Sequence, residues 1–345
     1  VLTPGKPRTD MSPEGYQIVR YKRDLYVAST GFSVSLLANF KKEAAWADVL
    51  HMHFPWPYAD LCYVLSGIKK PSLISYHSDV VNQVQLNKLY APLRDLYLGK
   101  MSKIYAASPG IMQSSPVLQK HKDKVRLITY GIQHFEAHAE TDPQVLAWRT
   151  QFGPRFFLFL GALRYYKGLH VLLEALKGRD YPTVIVGRGD QHDALVAQAK
   201  QLGLTNLHFV PEVTNDEKRS LMRAAYGFVF PSHMPSEAFG IVLAEAAQQG
   251  TPMITCEIGT GTSYVNLDGV TGLVVPPSDA QNFGQALDTF WQQPEQVQVW
   301  GQQALVRYQE TFKAETMAQS ALGTGKPDAT ARLVALVEAL GGDTP

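Results

Sequence analysis

Between residues 156 and 291 short apolar runs alternate with helical segments, and few folds accommodate so regular an alternation. The runs fall at 156–160, 183–186, 207–210, 227–230, 253–255 and 273–275, and the intervening helices at 170–176, 192–202, 216–225, 241–249 and 282–291. Apolar runs without a polar alternate suit strands buried on both faces. Strands that alternate with helices imply a parallel sheet covered on both sides, so this half reads as a Rossmann-like domain.

The remaining sequence has room for a second domain, since 345 residues exceed what one such unit needs. Hydrophobic content of 45% and charged content of 18% describe an ordinary globular chain and exclude fibrous or disordered classes. Only Cys62 and Cys256 are present, which argues against a disulfide framework and suits a reducing cytoplasm. The longest apolar run, 156–163, is far short of the roughly 20 residues a membrane-spanning helix needs. Charge is divided unevenly: 17 Lys and Arg stand against 9 Asp and Glu up to Ile132, and 15 against 22 beyond it. A basic first half suits an anionic acceptor or an anionic membrane face.

In that first half the signals are shorter. Residues 1–4 end a strand and lead into a polar loop to Gly15; 18–20 and 25–28 read as short strands, 33–45 as a helix and 49–53 as a strand. After an aromatic loop, 54–58, come a helix at 59–66, a strand at 71–79, a helix at 85–99 and strands at 104–107 and 125–130. His51 and His53 share a strand face, and His77 closes the next strand. Ligands of open parallel sheets lie beyond the C-terminal strand ends, which makes His77 a candidate site residue. At the other end of the chain, 304–318 and 329–340 read as helices.

The stretch 231–250 joins the strand at 227–230 to the helix at 241–249 and carries Glu237 in the loop and Glu245 in an otherwise apolar helix. A buried carboxylate without partners is expensive, so Glu245 requires one. Were both on one helix, eight residues would separate them by roughly 80° and about 12 Å, too far to share a proton or a metal. The spacing suits two ends of an elongated ligand, with the helix N-terminus at Gly240 between them offering backbone N–H groups to an anion.

Glu-Ala-Phe-Gly followed by the second Glu resembles the Glu-x7-Glu signature of family 4 retaining glycosyltransferases, which have the GT-B fold. The resemblance covers nearly the whole chain and is strongest from Phe157 to Asp279. It implies an α/β architecture of two Rossmann-like domains facing a central cleft: an acceptor domain at 1–132, a nucleotide-sugar donor domain at 133–312, and helices at 313–345 returning to the first domain. It further implies that the native protein extends upstream of Val1 by a strand, a Gly-rich turn and a helix.

The resemblance also distributes roles. Glu245 would hold the ribose hydroxyls of a nucleotide-diphosphate sugar, Glu237 would lie beside the transferred sugar, and Phe239, Gly240 and Ile241 would complete that loop. Lys167 matches the family lysine that neutralises the leaving diphosphate. The family arginine usually follows the first Gly of the loop, where this chain has Ala162, and Arg164 is its candidate substitute. Gly187 and Gly189 resemble the tight turn near the nucleotide, Val210 and Glu212 the segment that meets the base, and Thr260 and Gly261 a small-residue loop against sugar or phosphate. His77 would reach the donor sugar.

No cofactor is implied, the nucleotide-diphosphate sugar being a co-substrate, and with no Asp-x-Asp in the chain no metal site is expected. The Tyr-Tyr-Lys-Gly and Gly-Thr-Gly-Thr segments are similar to those of bacterial polysaccharide mannosyltransferases, which implies GDP-mannose as donor. The implied acceptor is a glycan or an anionic lipid-linked glycan, met by the first domain at the inner face of the cytoplasmic membrane; no nucleic acid is implied. A sugar-phosphate or sucrose-type synthase with a soluble acceptor, or a non-catalytic nucleotide-sugar binder, are the alternative readings.

Overall fold

The computed structural model describes residues 1–12, 15–27, 30–79 and 84–322. These described residues form two compact units, one within 1–107 with 112–128, the other of 108–111 with 129–322.

In the first unit, β1 (Leu2–Thr3), β2 (Arg8–Met11) and β3 (Gln17–Lys22) make one small sheet in the order β1-β3-β2, and β4 (Leu25–Val27) pairs antiparallel with β5 (Thr30–Phe32). Strands β6 (Leu50–Phe54), β7 (Ser72–Tyr76), β8 (Lys103–Ala106) and β9 (Val125–Leu127) form a parallel sheet in sequential order. The helix Val34–Ala45 starts where the Ser33 hydroxyl accepts the Leu36 N–H, and the helix Pro57–Ser66 stops at Gly67 in the left-handed region.

One expectation fails here, because β2 occupies the stretch read as a loop. It runs antiparallel to β3, and Asp10 joins Arg8 at 3.0 Å and Arg20 at 2.7 Å. A strand held by charged neighbours on a mostly exposed ribbon has no apolar alternation to reveal it. Residue 28, read as a strand end, lies outside the described residues.

The second unit has six parallel strands, β10 (Phe157–Leu160), β11 (Thr183–Val186), β12 (Leu207–Val210), β13 (Gly227–Phe230), β14 (Met253–Cys256) and β15 (Gly272–Val275). Phe157, Phe159, Phe228 and Phe230 are completely buried, as are Phe283 and Phe290, and the Phe157 and Phe290 rings lie 6.2 Å apart. Each such ring contributes about 1.5–3 kcal/mol by leaving water. Strand order is β12-β11-β10-β13-β14-β15, so the chain winds outward from β10 in one direction and from β13 in the other. Ligands bind beyond the C-terminal ends of strands where the order reverses, here between β10 and β13.

Past this sheet, the helix read at 304–318 is two helices, Pro294–Thr311 and Ala314–Leu322. The first begins ten residues earlier than expected, with Pro294 in a first turn that needs no N–H from it. The break between them falls where Ala314 N–H donates to Ile132 O at 3.0 Å. The helix read at 329–340 lies outside the described residues.

Candidate functional site

The two loops that leave the switch point are locked together. After β10 the chain makes a short 3-10 turn, Tyr165–Lys167, and ends it at Gly168 with φ 70°. A Cβ at Gly168 would lie 2.1 Å from the Pro231 carbonyl oxygen, so the loop after β10 reaches the loop after β13 only with glycine here. Beyond this contact Lys167 Nζ donates to Glu237 Oε2 at 2.5 Å. Both residues are buried, 8% and 9% exposed, and the ammonium also lies over the Phe230 ring, 4.6 Å from its centroid.

Neighbouring loops hold Glu237 in place. Its carboxylate accepts the Ser232 hydroxyl at 3.4 Å, its carbonyl accepts the Thr260 hydroxyl at 2.6 Å, and Gly261 N–H donates to Ala238 O at 3.0 Å. Thus the loop after β14, with Thr260 and Gly261, backs the loop after β13. Phe239 is buried with its ring edge-on to Tyr130. Gly240 then caps the helix Ile241–Gln248 without any side-chain cap, which leaves first-turn N–H groups for an anion.

Glu245 sits one turn into that helix, half-buried, and its Oε1 accepts Lys218 Nζ at 2.6 Å. The expected partner for this carboxylate thus exists, on the preceding helix Asn215–Ala224. The turn after β11 is also tightly set, because Gly187, at φ 146°, would put a Cβ 2.0 Å from Gly161 O. Arg164 is exposed and pairs with Asp190 at 3.2 Å rather than joining the Lys167–Glu237 pair. Val210 O accepts Gly187 N–H at 2.9 Å, while Glu212 is exposed and pairs with Arg188 at 3.3 Å.

Sequence reading missed three elements of this arrangement: Lys218, the Lys167–Glu237 contact, and a stack beside the loop after β10. In that stack Tyr165 lies parallel to His170 at 5.0 Å, and His233 is edge-on to both. His233 Nδ1 shares a hydrogen bond with Ser278 Oγ at 2.9 Å, and Ser278 holds the unusual φ of 59°. No local signal marks the place of His233 in this stack, since its contacts join loops far apart in the chain.

In the first unit His77 follows β7, as expected, and its ring stacks on His53 with Nε2 and His53 Nδ1 2.8 Å apart. His51 also stacks on His53 and shares a hydrogen bond with Ser75 Oγ at 2.8 Å. The rings retain some exposure, yet the surrounding protein disfavours their charge. Desolvation, with the neighbouring imidazoles second, pushes His51 and His77 down to about 4, and desolvation lowers His53. Among the described residues no group of three His, Cys, Asp or Glu is arranged to hold a metal ion, and no helix is long and apolar enough to cross a membrane.

Residues 144–307 match the family described as glycosyl transferases group 1. Over 309 residues the chain is 48% identical to D-rhamnosyltransferase WbpZ of Pseudomonas aeruginosa, spanning 89% of this chain and 81% of that protein. Over 316 residues it is 38% identical to O-antigen chain mannosyltransferase C of Escherichia coli, spanning 92% and 85%. Among solved structures, sucrose-phosphate synthase from Thermosynechococcus elongatus has a TM-score of 0.74 at 19% identity, over 96% of this chain and 87% of that one. Anabaena HepE in complex with UDP has a TM-score of 0.71 at 18% identity, over 88% and 84%. At such identities these structures speak to the fold alone.

Proposed function

The chain belongs to the group 1 glycosyltransferases and has their GT-B fold of Rossmann-like domains, and from that premise we propose that it transfers a mannosyl group from GDP-mannose to a lipid-linked bacterial polysaccharide acceptor, with the anomeric configuration kept. The observation that carries the reading is the buried Lys167–Glu237 pair at the ends of the two switch-point strands. A nucleotide-sugar diphosphate seated there meets one ammonium and the free N–H groups of the helix Ile241–Gln248. When the glycosidic bond breaks, its electron pair passes to the diphosphate oxygen, and those groups stabilise the new charge.

The sugar becomes oxocarbenium-like at that moment. The acceptor hydroxyl attacks from the face the diphosphate is leaving, and its proton passes to the departing diphosphate, so no protein nucleophile is used. Glu237, steered by Lys167 and Ser232, orients the sugar, and Glu245 receives the ribose hydroxyls. The basic first unit engages an anionic acceptor at the inner membrane face. The named relatives favour two sugars, mannose and D-rhamnose, which differ only in the hydroxyl at C6.

The test is a transfer assay with GDP-mannose, its 6-deoxy counterpart and UDP-glucose, in excess EDTA, on lipid-linked acceptor. Expected is transfer from a GDP-linked sugar, undiminished by chelation, into an α-linked product. Transfer from UDP-glucose alone, an inverted product, or activity lost to EDTA and restored by magnesium each contradict the corresponding part of the reading.

A further inference from the structure

Lys218 has no assigned task, yet it makes the one hydrogen bond and ion pair that the Glu245 carboxylate has among the described residues. Its neighbours cannot explain it as part of a generic charged surface, because each is already committed. Glu217 closes a capping box with Thr214, accepting the Thr214 N–H and hydroxyl at 2.8 Å each, and Asp216 pairs with Arg219 at 2.8 Å. The capped first turn is therefore rigid, and it delivers Lys218 across the helix pair to Glu245, 27 residues away.

The contact is one-sided. Lys218 Nζ engages Oε1, whereas Oε2 accepts no hydrogen bond among the described residues. A carboxylate offers about four acceptor positions, so one cation at Oε1 leaves room for two hydroxyls side by side. A pair this exposed, 21% and 26%, adds little to folding stability. What it does achieve is to hold the long Glu245 side chain in one rotamer and to offset its charge beside an incoming diphosphate.

We propose that Lys218 is a positioning residue for nucleotide recognition, which fixes the Glu245 carboxylate in the orientation that accepts the vicinal hydroxyls of ribose. This rests on the assignment of Glu245 to the ribose. A cation removed from this place costs affinity only where the hydroxyls are present, a dependence that a purely structural lysine would not show.

The experiment is calorimetric titration of the wild type with ADP, GDP and UDP, then of variants with the tightest binder and its 2′-deoxy counterpart. Lys218→Met is expected to weaken the ribonucleotide about five- to twentyfold while weakening the deoxy form by less than about twofold. Lys218→Arg, which keeps the charge, is expected to recover most of the difference. Glu245→Gln is expected to abolish the ribose preference, and adding Lys218→Met to it should change binding less than about twofold, because coupled residues are not additive. Equal weakening of both nucleotides by Lys218→Met, wild-type or tighter binding, or losses that add in the double variant would each overturn the proposal. A Glu245→Gln variant that keeps the ribose preference, or a wild type that binds none of the three, defeats the ribose assignment itself and the proposal with it. Melting temperatures of the unliganded variants separate recognition from a general loss of fold.

Discussion

The second unit contains two Lys–Glu pairs of nearly equal length, 2.5 Å for Lys167–Glu237 and 2.6 Å for Lys218–Glu245, that differ in their surroundings. The first pair has side chains 11% exposed on both sides, whereas the second has 21% and 26%. Charges removed from water depend on each other, so breaking a buried pair strands the survivor in a poor solvent. Charges that keep water depend mainly on geometry. The same pairing therefore bears on stability at Lys167 and chiefly on side-chain aim at Lys218.

Breaking the buried pair should have the largest effect. Lys167→Ala is expected to cost about 3–5 kcal/mol of stability, because Glu237 is left uncompensated, and to slow turnover by at least about tenfold through the lost charge on the diphosphate. Denaturant unfolding and a transfer assay measure the two, and adding Glu237→Ala should recover part of the stability but none of the rate. Unchanged unfolding would show that water reaches this pair freely.

Breaking the open pair should act on ligand instead. Glu245→Ala is expected to weaken nucleotide diphosphate binding by about 1.5–3 kcal/mol, the worth of charge-assisted hydrogen bonds to ribose. Its unfolding midpoint should stay close to wild type. If stability fell as far as affinity, the contrast between the pairs would disappear.

The smallest effect comes from the first unit, where desolvation dominates the titration of His51, His77 and Asp60. Folded His51 and His77 take up protons only near pH 4 against 6.5 for the free side chain, so the unfolded chain holds more protons between these values. Stability must then fall as pH drops from about 6.5 toward 4. Asp60 works in the opposite sense. Desolvation, opposed by the Tyr90 hydroxyl that donates to it, pushes its pKa up to about 7, so the folded state keeps a proton that the unfolded chain releases near 3.8. Asp60→Asn removes this compensation, and its melting temperature should decline more steeply than wild type as pH is lowered from 7 to about 4.5. Parallel profiles would show that Asp60 does not titrate in this range.

Much of the fold could be read from the chain because its signals are local. Runs such as 157–160 and 227–230 are apolar on both faces and therefore become central parallel strands, and their alternation with helices sets the Rossmann-like sheet. Glu237, Glu245 and Lys167 stood out as candidates for the same reason, each lying in a short motif, as do the glycines whose close approaches the fold requires. Strand β2 escaped because its charges, Asp10 with Arg8 on the same strand and with Arg20 across the ribbon, leave no apolar period.

What the sequence by itself determined is which residue types stand at the ends of which strands. Only the tertiary structure decided which of them share a partner: Lys167 with Glu237 across 70 residues, Lys218 with Glu245 across 27, and Tyr90 with Asp60 across 30. An ion pair needs two side chains within a few ångströms, and that distance is set by how helices and loops pack on the sheet, a property of the folded core that no local spacing along the chain carries.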